Sequence, residues 1–368
     1  LLCVFKYTDF IVSNINSLFN TNLSLLRLAI PIGISFYTFQ ILSYEIDVYR
    51  GKVKVQRNLL KLATYVTLFP QLIAGPIVRY ETIEDELSNR KHSFENFAYG
   101  ARRFVIGLAK KVLIANMLGE FCNKFSATDE KSVVLYWLFA ISYMLQIYFD
   151  FSAYSDMAIG MGRMFGFNFL ENFNYPYIAK NVTDFWRRWH ISLSTWFKEY
   201  LYIPLGGNRK GKFRQVINLL IVWSLTGLWH GAAWNFVAWG LYYGILLILE
   251  KFVLNKLRAK LPKAVNWLTT FIIVIIGWVF FFSNSFSGAA DYLGTMFGAN
   301  GFATADTLFY LLGYIVIMIL GMVPAVVSFD DNGKKPAVIK WIACILLFVL
   351  SVAFLVSESY NPFLYFRF

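Results

Sequence analysis

Long runs without Asp, Glu, Lys or Arg divide the chain into predicted membrane segments. These runs cover residues 28–44, 62–78, 132–149, 215–249, 264–290, 307–329 and 341–357. A helix needs about 20 mostly apolar residues to cross the roughly 30 Å hydrocarbon core of a bilayer. Because such runs recur along the whole chain, we predict at least seven membrane crossings with several partial insertions.

The first two runs contain residues that interrupt helices, namely Pro31, Gly33, Pro70, Gly75 and Pro76. Inside a membrane, backbone groups freed by such breaks must find partners within the protein or in water. The breaks therefore indicate either broken helices around a cavity or simple kinks. Another apolar stretch, residues 104–118, carries Lys110 and Lys111 and is predicted to form an amphipathic or membrane-edge helix.

The run 215–249 is the longest of the set, with 35 residues and no charge. One helix of that length would extend about 50 Å, well beyond the hydrocarbon core. Two shorter helices that meet near His230 and Gly231 fit a membrane better. The segment is therefore predicted to be a broken hairpin with His230 near its tip or at mid-membrane.

The composition agrees with a membrane protein. Hydrophobic residues make up 58% of the chain and charged residues 15%, whereas a soluble domain carries about 25% charge. We predict an all-α, polytopic helical bundle with broken and interfacial helices around a central tunnel, formed by residues 1–368 as one domain. The chain begins with Leu1, and we expect further helices to precede it in the complete protein.

The net charge of +12 comes largely from basic loops beside the apolar runs. This is the pattern that the positive-inside rule produces, so nucleic-acid binding is not required to explain the charge. The basic loops 205–214, 250–263 and 330–340 should be cytoplasmic, whereas segment 291–306 and the tail 358–368 should be external. Residues 215–249 would then enter and leave on one side, as expected of a hairpin.

His230 is an ionisable residue inside an apolar run. Such residues are costly in a membrane and usually face the protein interior or a cavity. A role in chemistry or proton handling is therefore predicted, although polar residues also serve to pack membrane helices.

His190 lies in a segment with amphipathic character. In residues 184–201, aromatic and leucine side chains recur at helical spacing, at Trp186, Trp189, Leu193, Trp196 and Tyr200. The segment is predicted to be one helix in the membrane interface, with its Trp side buried and with Arg187 and Arg188 facing headgroups or a phosphorylated ligand. The residues alone leave His190 open between a structural hydrogen bond and a functional role.

Two carboxylates, Asp150 and Asp156, follow the run 132–149. Residues six apart do not share one helical face well, so Asp150 and Asp156 are predicted to stabilise the fold or to support site residues indirectly, rather than to form a catalytic pair. The three cysteines are far apart and belong to no Cys/His cluster, so neither a metal site nor a disulfide framework is expected.

Several motifs resemble those of the membrane-bound O-acyltransferase family, in its bacterial branch typified by the alginate O-acetyltransferase membrane subunit. The two that contain histidine are residues 184–209 (DFWRRWHISLSTWFKEYLYIPLGGNR) and 225–240 (LTGLWHGAAWNFVAWG). Supporting runs are 31–51 (PIGISFYTFQILSYEIDVYRG), 69–79 (FPQLIAGPIVR), 148–162 (YFDFSAYSDMAIGMG) and 361–368 (NPFLYFRF). The resemblance covers the chain from about Pro31 to its end.

The resemblance implies an enzyme of the bacterial cell membrane that moves an acetyl group from cytoplasmic acetyl-CoA to the outside. There a separate extracytoplasmic acetyltransferase would pass it to a polysaccharide, and no bound cofactor is implied. His230 matches the family's central histidine and is predicted to be the general base. His190 matches its partner and is predicted to orient the thioester or to support charge at its carbonyl. Arg187 and Arg188 are candidates for CoA phosphates, with lipid headgroups as the alternative.

The tail resembles a short aromatic motif found in such acylation systems. The Tyr365 hydroxyl is a candidate acyl relay, although an aromatic belt at the membrane interface is an equally good use of this sequence. Two alternatives to acetyl transfer to a polysaccharide remain. The same fold could transfer D-alanine to teichoic acid or acetyl groups to peptidoglycan, and a protein of another class, a transporter, could use His230 as a proton relay.

Overall fold

The structure is a computed structural model, and it describes residues 1–326, 337–357 and 363–364. Within these ranges the chain forms helices and no strand, as the sequence predicts. Tyr365, the candidate acyl relay, lies outside the described residues.

The first part of the chain consists of short helices. Their bounds are α1 Thr8–Phe19, preceded by a π-helical turn at Cys3–Tyr7, α2 Ile34–Tyr49, α3 Leu59–Thr67, α4 Phe69–Leu72 and α5 Tyr80–Ile83. The predicted breaks at Pro31, Gly33 and Pro70 are confirmed, because helices begin next to each of them. None of these helices reaches the length of about 20 residues that a membrane crossing requires.

Two long, packed helical segments follow. The first is α6 Phe94–Ala109, a π-helical turn at Lys110–Ala115, and α7 Asn116–Ser126; the second is α8 Val133–Met164. The predicted span at 132–149 is therefore too short, since the helix continues for 32 residues through both Asp150 and Asp156. It can do so because both carboxylates have basic partners. Asp150 pairs with Lys111 at 2.6 Å, and Asp156 pairs with Arg103 and Lys110 at 2.6 Å each.

The remaining helices include the predicted hairpin. Their bounds are α9 Val182–Arg188, α10 Ile191–Phe197 with a π-helical turn at Lys198–Tyr202, α11 Gly211–His230, α12 Trp234–Leu249 with a π-helical turn at Glu250–Leu254, α13 Asn255–Arg258, α14 Lys263–Phe282, α15 Phe286–Met296, α16 Ala305–Val326 and α17 Ala337–Ser357. Helices α11 and α12 form the broken hairpin, and the break falls at Gly231–Ala233 as expected.

Among the described residues, five helices are long and apolar enough to cross a membrane, fewer than the seven crossings predicted. They are Val133–Met164, Trp234–Arg258, Lys263–Phe282, Ala305–Val326 and Val338–Ser357. The count is lower because the runs 28–44 and 62–78 end in short, broken helices rather than in full spans. The protein is nevertheless an integral membrane protein with apolar spans along most of its length.

The bundle has two distinguishable ends. Loops 205–214 and 250–263 define the basic end, where α11 begins and α12 ends. The start of α8 lies at the opposite end, where Ser132 contacts Thr307 at the start of α16. Helix α8 therefore runs from the opposite end towards the basic end, and α16 runs in the same direction.

The hairpin of α11 and α12 depends on glycines at the helix contact. A Cβ atom on Gly227 would collide with the backbone carbonyl of Phe236, and one on Gly240 would collide with the carbonyl of Trp223. Small residues let membrane helices approach closely and gain packing contacts. The close approach fixes the position of the α11 end, which carries His230.

Gly227→Ala should push the two hairpin helices apart, because the new methyl group meets rigid backbone atoms rather than a flexible side chain. We expect a clear loss of thermal stability in detergent, measured by the midpoint of unfolding. Gly313→Ala is the matched control, since no atom lies within 4 Å of a Cβ at this glycine of α16. Equal midpoints for the two variants would show that the hairpin does not need the close contact.

Candidate active site

His230 occupies the last position of α11, at the tip of the hairpin. Its ring is held by three aromatic neighbours, with centroid separations of 5.0 Å to Trp229, 5.0 Å to Trp239 and 5.5 Å to Phe281. No hydrogen bond from the imidazole nitrogens to the protein occurs among the described residues. The ring is therefore fixed by packing, while its nitrogens remain available to a reacting group.

Lys6 stabilises the end of α11 from a distant part of the sequence. Its ammonium group donates to the carbonyl oxygens of Trp229 at 2.5 Å and of His230 at 3.2 Å. The last carbonyls of a helix lack intrahelical partners and carry partial negative charge, so a cation there is favourable. The Tyr7 hydroxyl donates to a third carbonyl, that of Leu228, at 2.9 Å. The π-helical turn Cys3–Tyr7 thus holds the hairpin tip in place.

A small cavity adjoins the ring of His230, which is half-buried. Its volume of about 20 Å³ leaves room for about one water molecule. The wall is almost entirely apolar, and its lining residues are Ile147, Asp150, Phe151, Trp189, His230, Trp239, Trp278, Phe281 and Leu364. A reacting group held here would lie against an apolar wall, and such surroundings strengthen electrostatic interactions with it.

The segment around His190 differs from the prediction. Instead of one helix over 184–201, α9 ends at Arg188 and α10 begins at Ile191. His190 lies between them in the left-handed conformation, with φ 45° and ψ 56°. The sequence periodicity did not reveal this kink, because the aromatic stripe continues through it. The predicted burial of the Trp side is correct, since Trp186, Trp189 and Trp196 are all buried.

The start of α9 is tied to the basic end of the bundle. Asn181 caps the helix, because its side chain accepts a hydrogen bond from the backbone N–H of Asp184. The buried carboxylate of Glu250 accepts from the backbone N–H groups of Val182 and Thr183 at 2.7 and 3.0 Å. A carboxylate at a helix N-terminus is favourable for the same electrostatic reason. These contacts connect the His190 segment to the end of α12.

The kink brings His190 towards His230. The rings of both histidines pack on Trp229, with centroid separations of 6.2 Å for His190 and 5.0 Å for His230. Trp189, the neighbour of His190 in the chain, lines the cavity beside His230. His190 itself is buried, with 1% of its surface exposed. Two histidines that are 40 residues apart in sequence therefore belong to one site.

A partner of His190 was not predicted from the sequence. The Nδ1 atom of His190 lies 3.2 Å from the side-chain oxygen of Asn172, a fully buried residue in the loop after α8. No sequence pattern marks Asn172, because a single asparagine in a loop is common.

The two arginines predicted to bind phosphate have different surroundings. Arg188 pairs with Asp184 at 2.9 Å and donates to the carbonyl oxygen of Asn174 at 3.2 Å, whereas Arg187 is exposed. Neither lines the small cavity at His230.

A much larger cavity of about 900 Å³ opens near the basic end. Four basic side chains line it together with two acidic ones, and these are Arg102, Arg103, Lys110, Lys340, Asp156 and Glu171. Asn174 also lines it, which places Arg188 beside it. Consecutive residues of α8 separate the two cavities, since Tyr148 and Phe149 face the large one while Asp150 and Phe151 face the small one.

Two residues of the tail, Phe363 and Leu364, are described, and both contact the helical bundle. The backbone N–H of Leu364 donates to the carboxylate of Asp150 at 2.6 Å, and Leu364 lines the cavity at His230. The Phe363 ring packs edge-on against Tyr154 at 5.2 Å, and the Lys111 ammonium lies 4.7 Å from its centroid. Phe363 and Leu364 therefore pack inside the bundle, because the buried Lys111–Asp150 pair offers them polar and cation–π partners.

Comparison with known proteins gives the family to which this protein belongs. The family model for membrane-bound O-acyltransferases (MBOAT) matches residues 16–287. The chain therefore belongs to the membrane-bound O-acyltransferase family and is an integral membrane O-acyltransferase. This assignment leaves no support for the transporter alternative.

The chain is similar to several bacterial proteins. It is 39% identical over 415 residues to a protein named probable alginate O-acetylase AlgI from Azotobacter vinelandii, with 100% of this chain and 83% of that protein covered. It is 39% identical over 332 residues to the peptidoglycan O-acetyltransferase of Helicobacter pylori, covering 82% of this chain and 63% of that protein. It is 30% identical over 257 residues to the teichoic acid D-alanyltransferase of Bacillus subtilis, covering 66% and 65%.

Lys111→Ala should be strongly destabilising, because it removes the cation that neutralises the buried Asp150 carboxylate. Removing one partner of a buried ion pair typically costs about 3–5 kcal/mol. The measurement is thermal unfolding in detergent. Lys124→Ala is the control, since Lys124 forms a half-exposed pair with Glu120, and such surface pairs contribute little. Equal stability of the two variants would mean that the Asp150 carboxylate does not depend on Lys111.

Proposed function

We propose that this enzyme transfers an acetyl group from cytoplasmic acetyl-CoA, across the cell membrane of a bacterium, towards O-acetylation of an extracytoplasmic polysaccharide. The observation that carries the proposal is the position of His230, at a hairpin tip in a cavity with room for about one water. The basic end of the bundle takes the cytoplasmic side by the positive-inside rule. The likeness to proteins named alginate O-acetylase along the whole chain favours acetyl as the group and a polysaccharide as the acceptor.

The large cavity at the basic end is the proposed entrance for the donor. Acetyl-CoA carries phosphates on an extended arm. The basic side chains that line the cavity would attract this polyanion. Arg188 lies beside this cavity and is proposed to contribute to phosphate binding at its rim. Arg187 is exposed and is equally suited to phosphate or to lipid headgroups. No bound cofactor is needed in this scheme, because the thioester itself supplies the activated acyl group.

His230 is the proposed general base. Its imidazole would take the proton of the acceptor hydroxyl as the oxygen attacks the thioester carbonyl. The C–S bond then breaks, and the CoA thiolate leaves and recovers the proton. General base catalysis of this kind contributes about 10²–10⁴-fold. Because the thiolate is a good leaving group, the protein's main task is to hold donor and acceptor in line.

The tail is the proposed exit for the acetyl group. Leu364 lines the His230 cavity, and Tyr365 is the next residue in the sequence. We propose that the Tyr365 hydroxyl accepts the acetyl group and passes it to a separate extracytoplasmic acetyltransferase, which modifies the polysaccharide. An aromatic anchor at the interface is the competing role for Tyr365.

Two other acyl-transfer reactions are compatible with the relatives. The peptidoglycan O-acetyltransferase is as similar to the chain in identity but covers less of it, and the teichoic acid D-alanyltransferase is less similar. These differences favour acetyl over D-alanyl transfer. The nature of the labelled group and of the labelled polymer in cells would decide between them.

His230→Ala should lower acetyl transfer by about 10²–10⁴-fold, the contribution of a general base. The measurement is transfer of labelled acetyl from acetyl-CoA to protein or polymer in membranes that hold the full-length protein. His92→Ala is the matched control, since His92 is an exposed histidine. Equal labelling with His230→Ala would remove His230 from the mechanism. Absence of labelling even in the unaltered protein would contradict acetyl-CoA as the donor.

Tyr365→Phe should abolish or sharply reduce polysaccharide acetylation in cells, because it removes one hydroxyl and leaves the aromatic ring. The ring alone would still serve an interfacial anchor, so the variant separates the two roles. Tyr49→Phe, at an exposed tyrosine, is the control. Undiminished polysaccharide acetylation in Tyr365→Phe would end the relay proposal.

A further inference from the structure

Asn172 is fully buried, and its side chain and backbone together contact three consecutive residues of the segment that carries His190. Its side-chain oxygen lies near the Nδ1 atom of His190, and its backbone carbonyl accepts from the N–H of Ile191 at 3.0 Å. The same side-chain oxygen accepts from both the backbone N–H and the hydroxyl of Ser192. One residue from the loop after α8 thus holds the backbone and the ring of the segment that carries His190.

The orientation of the Asn172 amide follows from its donors. The backbone N–H of Ser192, which can only donate, lies 3.1 Å from the atom assigned as the side-chain oxygen. The Ser192 hydroxyl accepts from the backbone N–H of Ile77 at 3.0 Å and donates its own proton to the same oxygen at 2.8 Å. An amide nitrogen at that position would face two donors. The Asn172 oxygen therefore lies on this side, and its nitrogen points to the carbonyl oxygen of Gly75 at 3.4 Å.

The tautomer of His190 follows from the amide orientation. A neutral imidazole has one N–H donor and one acceptor nitrogen. The partner of Nδ1 is an oxygen that can only accept, 3.2 Å away, so Nδ1 carries the proton. The Nε2 atom is then an acceptor. It is buried and has no hydrogen-bond partner among the described residues.

Within the described part of the chain, no hydrogen-bond donor reaches Nε2. The His190 ring meets the Phe151 ring edge-on, with a centroid separation of 4.7 Å, and lies against Trp229 on the side towards His230. Buried polar atoms are normally paired, and an unpaired one at a functional site calls for an explanation. The left-handed backbone of His190, which is uncommon for residues other than glycine, also marks the segment as one held by its surroundings.

We propose that Asn172 is a positioning residue that holds His190 with its proton on Nδ1, so that Nε2 accepts a hydrogen bond from the acyl donor. The N–H group of the pantetheine arm is the donor's hydrogen-bonding group nearest the thioester. Of the two roles predicted for His190, this arrangement favours orienting the thioester. The neutral His190 ring has no Nε2–H that could donate a hydrogen bond to the thioester carbonyl. The identity of the bound donor rests on the proposed function, whereas the tautomer does not.

The tautomer is measured directly on the full-length protein in lipid bilayers, with ¹⁵N-labelled histidine and solid-state NMR. The chain has three histidines, and the His190 signals are assigned by their loss in His190→Gln. We expect Nδ1 to show the shift of a protonated ring nitrogen and Nε2 that of an unprotonated one. A proton on Nε2 in the neutral ring would overturn the proposal, whatever the enzyme transfers.

Asn172→Ala should release the ring, because Nδ1 loses its acceptor. We expect a mixture of tautomers and a drop of about 10- to 10³-fold in kcat/KM for acetyl-CoA. In serine proteases, replacing the residue that fixes the histidine tautomer lowers kcat by about 10⁴-fold. A smaller loss is expected here, because His190 orients the donor and does not itself transfer the proton. An unchanged tautomer in this variant would contradict the role of Asn172.

Asn172→Asp tests the same role through the pH profile. A carboxylate beside Nδ1–H favours the imidazolium form of His190. Nε2 then becomes protonated at a higher pH, and a protonated Nε2 cannot accept a hydrogen bond from the acyl donor. The acid limb of the kcat/KM profile should therefore move to higher pH by about one unit or more. Among the described residues, His230 is the titratable group that acts on His190, and it is the same in both proteins.

Asn218→Ala is the control for a purely structural loss. Asn218 is also fully buried, and its amide donates to the carbonyl oxygens of Leu205 and Gly207, away from both histidines. It should lower thermal stability without changing the His190 tautomer or the acid limb. The same acid limb in Asn172→Asp as in the unaltered protein would overturn the proposal. Failure of acetyl transfer with Nδ1 protonated would instead contradict the proposed function and leave the tautomer assignment standing.

Discussion

Polar groups inside a bilayer must find their partners within the protein, and this constraint explains most of the architecture. Lys111 and Asp150 lie on neighbouring helices where neither could remain alone, and the Asp150 carboxylate also accepts from the backbone of Leu364. The last carbonyls of α11 receive the Lys6 ammonium. In each case a costly group is satisfied by a residue far away in the chain. The contacts that satisfy the polar groups also bring the N-terminal helix and the tail to the site.

Two local features then position the histidines. The close contact at Gly227 and Gly240 brings α11 and α12 together and fixes the tip at His230. The left-handed backbone at His190 turns the chain between α9 and α10, so that its ring meets Trp229 from the other direction. His230 lines a cavity, whereas the His190 ring is hydrogen-bonded to Asn172. This difference in surroundings is a physical basis for different roles in the two residues.

Much of the fold could be predicted from the sequence, because the signals involved are local. Charge-free runs predicted the spans at α14, α16 and α17, and the length of the run 215–249 predicted the hairpin and its break. Other predictions were wrong where distant contacts override a local signal. The helix predicted from the run 132–149 was too short, because the prediction ended it before Asp150. The cation that pairs with Asp150 lies on another helix and cannot be recognised from the local sequence. Likewise, the stripe of 184–201 continued through a kink that is held by Asn172.

Hydropathy and contiguous motifs do not depend on how the chain packs, so the sequence alone was enough to assign a membrane protein, its family and two candidate histidines. The surroundings of those histidines became clear from the packing of the helices. The Lys6 cap, the Asn172 contact and the hydrogen bond from Leu364 to Asp150 join residues that are between 18 and 224 positions apart. No periodicity or motif encodes such pairs. They arise because a polar group buried in the bundle takes the partner that packing brings to it.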